Sequence, residues 1–511
     1  MNQLKIGSFL SYLQMALSII IGIVFTPITI RLLGQNEYGL YNTVASTISM
    51  LLLLGLNFNS GYIRYYAKYK KEKDTDSIYR LNGMFLLIFS LIGIVTFICG
   101  MFLTNHLPLI FSDGLTSEEY GIARILMLLM TINTSLYFPM SVFSTIVSAH
   151  ERFIYLKVLG ILRTIIGPLL TIPVLLLGYG SIGMVTVTLI ISILTDLSYL
   201  FYTLKYLGER FWFNSFEKGL LKSLFVYCSF ITINSIIDQV NWNIDKILLG
   251  RFRGTAEVAV YSVGYSLFHY YLMFSCAISG VFTPRIHKIY NEWKDKPEEL
   301  NQRFTDLMIR VSRIQYLILG LIASGVVFFG QSFLHFWVGD GFEKSYYVAL
   351  LLIIPASIEL IQNLGIEIQR AENKHQFRSF SYLIMAFINL FLSIWLCQIY
   401  GAIGSAIGTA LSLILANGLI MNIYYYKKCG INIPLFWKTI LHMSWGLLPP
   451  VIFGIVIRKI IPMTSLLRLV LCILLYTLVY ACSMWRLGMN NEEKELVRNF
   501  VRKFTTRHSK G

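Results

Sequence analysis

The sequence predicts an all-α polytopic membrane protein of about 14 transmembrane helices: two parallel six-helix lobes around a central cavity, plus two extra C-terminal helices. Three observations predict it. Of 511 residues, 56% are hydrophobic and 14% charged, with a mean hydropathy of +0.63, more apolar surface than one soluble core can hide. The apolar residues form fourteen segments near the roughly 20 residues a helix needs to cross a bilayer. A block of sequence also recurs at an offset of about 220 residues.

The first six spans run 8–30, 40–62, 83–103, 120–147, 154–177 and 182–204. The next six run 222–243, 256–282, 308–334, 346–369, 378–399 and 401–426, and the last two 438–460 and 465–486. The first is long enough to span and no small-residue cleavage site follows it, so it reads as a retained helix rather than a signal peptide. The seventh is the least hydrophobic. Seven cysteines lie singly, mostly inside spans, without C-x-x-C spacing or a histidine cluster. They read as small apolar residues, not as disulfide partners or metal ligands.

A formal charge of +16 invites a nucleic-acid reading, but its distribution argues otherwise. With a cytoplasmic N-terminus, the even-numbered connections with their adjoining span ends, and both tails, hold 33 of the 43 Lys and Arg; the opposite side holds 9, and the last is Arg163. This is the positive-inside asymmetry, and it places both termini in the cytoplasm with no nucleic-acid partner.

The repeat comes next. RLLGQNEYGLYNTVAS (31–46) after span 1 matches ILLGRFRGTAEVAVYSVGYS (247–266) after span 7. SAHERF (148–153) matches RAENKHQF (370–377), and LGYGSIG (177–183) matches IYGAIG (399–404). Spans 1–6 and 7–12 are therefore two copies of one unit, giving lobes at 1–210 and 211–430, spans 13–14 at 431–486 and a tail at 487–511. Six is even, so both copies enter the membrane in one orientation, and such lobes can rock in alternating access.

Polar residues inside the spans are the candidate functional residues. Arg163 lies nine residues into span 5, roughly 13 Å deep. Asp196 on span 6 lies at nearly the same depth, so either the two form an ion pair or Arg163 faces a cavity and holds an anion. The second copy has Met385 and Asn417 at these positions, so the charge belongs to one lobe. On span 7, Asn234, Asp238, Asn241 and Asp245 follow spacings of 4, 3 and 4 and make one polar helical stripe, expected to line a wet cavity or to pack against another lobe. Glu359 lies mid-span in span 10, either as a cavity carboxylate or as a protonated, hydrogen-bonded one. Glu367 and Arg124 lie near span ends, where snorkelling is the default. Pro27, Pro139, Pro168, Pro173, Pro355, Pro449 and Pro450 are expected to bend their spans. Gly404 and Gly408 form a close-packing GxxxG face. In the tail, Leu496, Val497, Phe500, Val501 and Phe504 share one face beside Arg498, Arg502 and Lys503, as in a helix lying on an anionic leaflet.

No P-loop, H-E-x-x-H or G-x-S-x-G is present, and no large soluble insertion could house a catalytic site. The expectation is a non-enzymatic protein without a cofactor, energised by a gradient, with H⁺ or Na⁺ as the possible coupling ion.

RLLGQNEYGLYN, RYYAKYKKEKD after span 2, IDKILLGRFRGTAEVAVYSVGYSL and the two YG-x-IG turns resemble the polysaccharide flippases. These are the Wzx-type oligosaccharide-lipid exporters of the MATE-like multidrug/oligosaccharidyl-lipid/polysaccharide superfamily, and the resemblance covers roughly residues 1–430. It implies translocation of undecaprenyl-pyrophosphate-linked repeat units across a bacterial plasma membrane for capsule, O-antigen or another cell-surface polysaccharide. The implied partners are the lipid-linked oligosaccharide, membrane lipids, and a polysaccharide polymerase and glycosyltransferases. Under it Arg163 meets the pyrophosphate and Arg64 receives the headgroup at the cytoplasmic mouth, where its bland alternative is a topology-setting charge; Arg31 is a weaker candidate outside. The superfamily's peptidoglycan-precursor flippases are marked by several arginines in lobe one, and only Arg163 is deep here. Its drug exporters often carry a carboxylate in helix 1, and span 1 has none.

Two competitors remain at this stage. A cation-coupled exporter of small amphiphiles draws on Asp238 and Asp245. A membrane polymerase or ligase is disfavoured by the short outward connections, the largest being about 104–119.

Overall fold

The computed structural model describes residues 3–55, 58–111, 115–214, 218–374 and 376–508. Several side chains within 218–238, Asn234 and Asp238 among them, and all from position 500 onward lie outside the described set. Every regular element among the described residues is helical. Residues 1–210 carry α1 (Gln3–Leu33), α2 (Gln35–Leu51), α3 (Phe58–Glu72), α4 (Thr75–Asn105), α5 (Ser117–Ala149), α6 (Phe153–Leu176) and α7 (Gly180–Phe201). Residues 211–430 carry α8 (Lys218–Phe252), α9 (Thr255–Gly280), α10 (Thr283–Trp293), α11 (Pro297–Val338), α12 (Glu343–Ile361), α13 (Leu364–Ala371), α14 (Gln376–Tyr400), α15 (Ala402–Leu413) and α16 (Met421–Lys428). Then come α17 (Ile433–Met443), α18 (Leu448–Ile460), α19 (Leu466–Ser483) and α20 (Asn491–His508).

Among the described residues, thirteen helical runs are long and apolar enough to cross a membrane, matching thirteen of the fourteen expected spans. The seventh span is helical too, within the 35 residues of α8, but is not among the thirteen. The chain is a multi-pass membrane protein.

Spans 2, 10 and 13 are interrupted by turns. Span 2 breaks after Leu51 into a 3-10 turn, Leu52–Gly55, before α3 begins. Gly55 is needed there because a Cβ would lie 2.7 Å from the Phe138 ring. Span 10 ends at Ile361, and α13 follows as a separate short helix. In span 13 the prolines do not kink a helix: Pro449 and Pro450 open α18 after a 3-10 turn, Ser444–Leu447, where a missing N–H costs nothing. Pro27, Pro139, Pro168, Pro173 and Pro355 do lie inside helices.

Helix ends follow local sequence. Asp74 accepts from the Ser77 N–H at 2.9 Å, and hydrogen bonding to Ser77 holds its carboxyl below the usual range. Thr116 and Glu119 form a reciprocal capping box at α5.

By internal contacts the chain forms two compact units, 1–262 with 386–408, and 263–385 with 409–511. In the first, α1 packs on α6 and α5 on both α4 and α7. An aromatic cluster there joins Phe58, Tyr62, Phe85, Phe89 and Phe138, with Tyr62 and Phe85 edge-to-face at 5.1 Å. Lipid is as apolar as these rings, so close packing rather than water exclusion holds them. Gly404 and Gly408 pack as expected: a Cβ on Gly404 would lie 2.0 Å from the Leu396 carbonyl oxygen.

The repeat reappears as geometry. Glu37 Oε1 accepts from the Ser181 N–H at 2.6 Å, and Glu257 Oε2 accepts from the Ala402 N–H at 2.7 Å. Each carboxylate caps the helix after a YG-x-IG turn. The glycine before each donor residue is left-handed, Gly180 at φ +57° and Gly401 at φ +60°, and a Cβ on either would meet the carboxylate within 2.6 Å.

In the second unit, Arg313 on α11 makes a bidentate, buried ion pair with Glu493, at 2.5 and 2.9 Å, and donates to the Gly488 carbonyl at 2.9 Å. Glu493 also accepts from the Asn490 N–H at the start of α20. The tail helix is thereby pinned at its first turn, and Leu496 and Val497 on it are exposed.

Candidate functional site

A cavity of about 980 Å³ opens within the first unit. Its walls come from α1, the break between α2 and α3, and helices α3 to α8. Hydroxyl and amide groups recur around it, among them Gln14, Asn59, Asn133, Ser141, Ser144 and Gln239. Asn59 Oδ1 is buried without a hydrogen-bond partner. Tyr137, Tyr199 and Phe138 add aromatic faces.

Three ionisable side chains other than tyrosine line it among the described residues: Lys157, Arg163 and Asp196. Arg163 and Asp196 face it together, as the depth argument anticipated. They do not form the ion pair that was the alternative, since the Arg163 Nη2 donates to Ser192 Oγ at 2.8 Å instead. Among the described residues Ser192 is the one hydrogen-bond partner of Arg163, which leaves most of a five-donor guanidinium open to a ligand.

The span 7 stripe is corrected in part. Asp245 is fully buried and accepts from Tyr261 Oη at 2.7 Å and Ser405 Oγ at 2.9 Å. It is a satisfied packing residue, because a polar stripe must be buried but can be buried against protein as well as against water. Asn241 is half-buried and does not line the cavity. Ser235 and Gln239 are the described residues of α8 that do. Asn234 and Asp238 lie on α8, with side chains outside the described set.

Glu359 is neither a lone carboxylate nor part of this cavity. It lies 3.3 Å from Arg378 Nη2, and accepts from Tyr382 Oη at 3.3 Å and Asn417 Nδ2 at 3.2 Å. Tyr382 also donates to Asn417, which lies in the π-helical stretch Ile414–Ile420. Arg64 is exposed and is not a lining residue, though its neighbour Ile63 is.

Sequence reasoning missed Lys157, which lies near a span end. It also missed a polar cluster just beyond Ser148 of the cavity wall. His150 Nε2 lies 2.9 Å from Tyr66 Oη and 2.6 Å from Glu209 Oε1, and Glu209 Oε2 accepts from Asn82 Nδ2 at 2.8 Å. His150 belongs to the SAHERF motif, which was read only as a repeat marker. Among the described residues no group of three or more His, Cys, Asp and Glu side chains is gathered as a metal site would need.

A polar, net cationic cavity inside an all-helical membrane protein suits an anionic, hydroxyl-rich ligand. The family model described as "Polysaccharide biosynthesis protein" matches residues 5–290, more than half of the chain. The chain belongs to that family. A curated relative, the probable low-salt glycan biosynthesis flippase Agl15 of Haloferax volcanii, is 24% identical over 273 residues, 51% of this chain and 53% of the relative. The match thus spans about half of that relative's length. Two solved structures share the fold of this family member. The lipid II flippase MurJ in an inward closed conformation has a TM-score of 0.68 and 16% identity over 94% of this chain and 97% of its own. An inward-facing multidrug resistance MATE family transporter of the MOP superfamily has a TM-score of 0.64 and 13% identity, over 84% and 99%. The family resemblance and fold class expected from the sequence are borne out.

Proposed function

We propose that this chain is a flippase for undecaprenyl-pyrophosphate-linked oligosaccharide, carrying repeat units across a bacterial plasma membrane by alternating access of its two lobes. Both termini face the cytoplasm in this reading. The cargo feeds capsule, O-antigen or another cell-surface polysaccharide, made by glycosyltransferases before the step and joined by a polymerase after it. No bond is made or broken, and a gradient of H⁺ or Na⁺, or of the substrate itself, supplies the energy.

The observation that carries the reading is Arg163, a membrane-depth guanidinium opening into a hydroxyl-lined cavity. An unpaired intramembrane charge is costly to keep, and a diphosphate is its natural counter-ion. Lys157 nearer the cytoplasmic end of α6 gives the same headgroup a first contact. Asn59, Asn133 and Gln239 supply donors and acceptors for sugar hydroxyls, and Tyr137 and Tyr199 stack on sugar faces. Of the two carboxylates that the exporter of small amphiphiles draws on, Asp245 is held by protein partners. Asp196 is the described carboxylate left for cation coupling.

The test is leaflet translocation of a fluorescent undecaprenyl-pyrophosphate oligosaccharide in proteoliposomes. A charged hydrogen bond is worth about 1.5–3 kcal/mol, so Arg163→Ala should slow translocation roughly 10- to 150-fold, with Arg163→Lys between. Native-like rates in a folded Arg163→Ala protein remove the arginine from the headgroup site. No translocation by the native chain removes the substrate.

A further inference from the structure

Arg163 borders two recesses. A second one, of about 280 Å³, lies between α6 and α7 and is walled by Leu162, Ile166 and Leu170 on one helix and Ile190 and Leu194 on the other. Among the described residues, Arg163 is the one that lines both this groove and the cavity, and the groove's sole charged one. The two hydroxyls there are already committed: Thr195 donates to the Ile191 carbonyl and Ser198 bonds Tyr155 Oη. The walls are open, with Leu162 44%, Leu170 50% and Leu194 61% exposed.

Helical geometry explains the double role. At about 100° per residue, the α6 residues facing the cavity (Phe153, Leu156, Lys157, Gly160) centre roughly 120° from those facing the groove. Arg163 falls between the two sets. On α7 the cavity residues Ser192, Asp196 and Tyr199 are separated from Ile190 and Leu194 in the same way.

A lipid-linked saccharide has the same three parts in the same order: a polar head, an anionic diphosphate and an apolar chain. While the head crosses inside a polar cavity, the chain must stay in apolar surroundings, and the diphosphate must lie where the two environments meet. We propose that the α6/α7 groove seats the head-proximal isoprenoid chain of the substrate, with the diphosphate on Arg163 and the saccharide in the cavity. This rests on the flippase reading above. A phospholipid acyl chain would also fit an apolar groove, but nothing would then place a guanidinium at its inner edge.

The experiment uses full-length protein in proteoliposomes with a photoreactive benzoylphenylalanine at Leu194, or at Leu170 where the first variant fails to fold. A control carries it at Leu441, 63% exposed in the second unit. The probe is a fluorescent undecaprenyl-diphosphate-linked oligosaccharide, and translocation is measured on the same preparations. Crosslinking at the groove should exceed the control about tenfold, fall about tenfold in Arg163→Ala, and be competed by undecaprenyl diphosphate but not by excess phosphatidylglycerol. Equal labelling at both positions, or competition by phosphatidylglycerol, means bulk lipid and overturns the proposal. Absence of groove labelling in a preparation that moves the probe overturns the groove alone and leaves the flippase standing. A native chain that moves no probe overturns both.

Discussion

A single arginine decides how the cavity treats charge, and its two ionisable neighbours adjust it. Lys157 and Arg163 oppose one carboxylate, Asp196, so neutralising Asp196 should strengthen attraction for an anion. A unit charge at about 10 Å across a wet cavity is worth on the order of 1 kcal/mol. Asp196→Asn should therefore lower the KM for an anionic lipid-linked probe about fivefold, and Lys157→Ala should raise it by a similar factor. If Asp196 also carries the coupling ion, Asp196→Asn will abolish the stimulation of transport by an imposed pH or Na⁺ gradient, while a gradient response that survives assigns coupling elsewhere. Arg163 was legible because a lone charge amid apolar residues has no cheap explanation. Lys157 was not, since a lysine near a span end has one. Ser235 and Gln239 were passed over for the same physical reason: uncharged polar residues cost so little in a membrane helix that their face carries almost no signal. Asp245 shows the converse, a strong signal that says a residue needs partners without saying whether they are water or protein.

Helix ends carry a second layer of information. Glu37 and Glu257 cap α7 and α15 from equivalent positions of the two copies, each through a charge-assisted bond at a helix N-terminus, where the dipole also favours a carboxylate. Each bond is worth about 1.5–3 kcal/mol in favourable settings. Glu37→Ala and Glu257→Ala are expected to lower the detergent-solubilised melting temperature by several degrees each, whereas Glu37→Gln, which keeps an acceptor, loses less. An Ala variant that melts with the native protein would make the cap incidental. Gly39→Ala should be worse than either, because its Cβ would sit 1.8 Å from the Thr255 carbonyl oxygen. The motifs around these residues were visible as repeated text, and the turns were located from them; the hydrogen bonds were not, since matching strings does not reveal which side chain reaches across. Span number and order were legible because hydropathy reports directly on bilayer thickness. The breaks at Leu52–Gly55 and Gln362 were hidden, because an apolar run looks the same whether it is one helix or two.

At the scale of the whole molecule, charge asymmetry sets a testable orientation. In a cysteine-free background, Glu298→Cys should be labelled by an impermeant maleimide only from the cytoplasmic face, and Tyr179→Cys only from the other. The reverse pattern would invert the topology and put Lys157 at the outer mouth. The contact-defined units draw residues 386–408 to the first unit because Arg253, Asp245 and Glu257 bond to Cys397, Ser405 and Ala402. The six-helix lobes describe instead which helices are proposed to move together, and the two groupings answer different questions. The pinning of α20 has a practical side for anyone shortening the chain. A stop codon placed before residue 493, chosen to discard a basic and apparently dispensable tail, also discards the carboxylate that neutralises Arg313. A guanidinium whose side chain is only 9% exposed would be left among buried neighbours. Breaking such a pair costs about 3–5 kcal/mol, so poor yield from a trimmed protein would report a defect inside α11 rather than a role for the missing residues in transport.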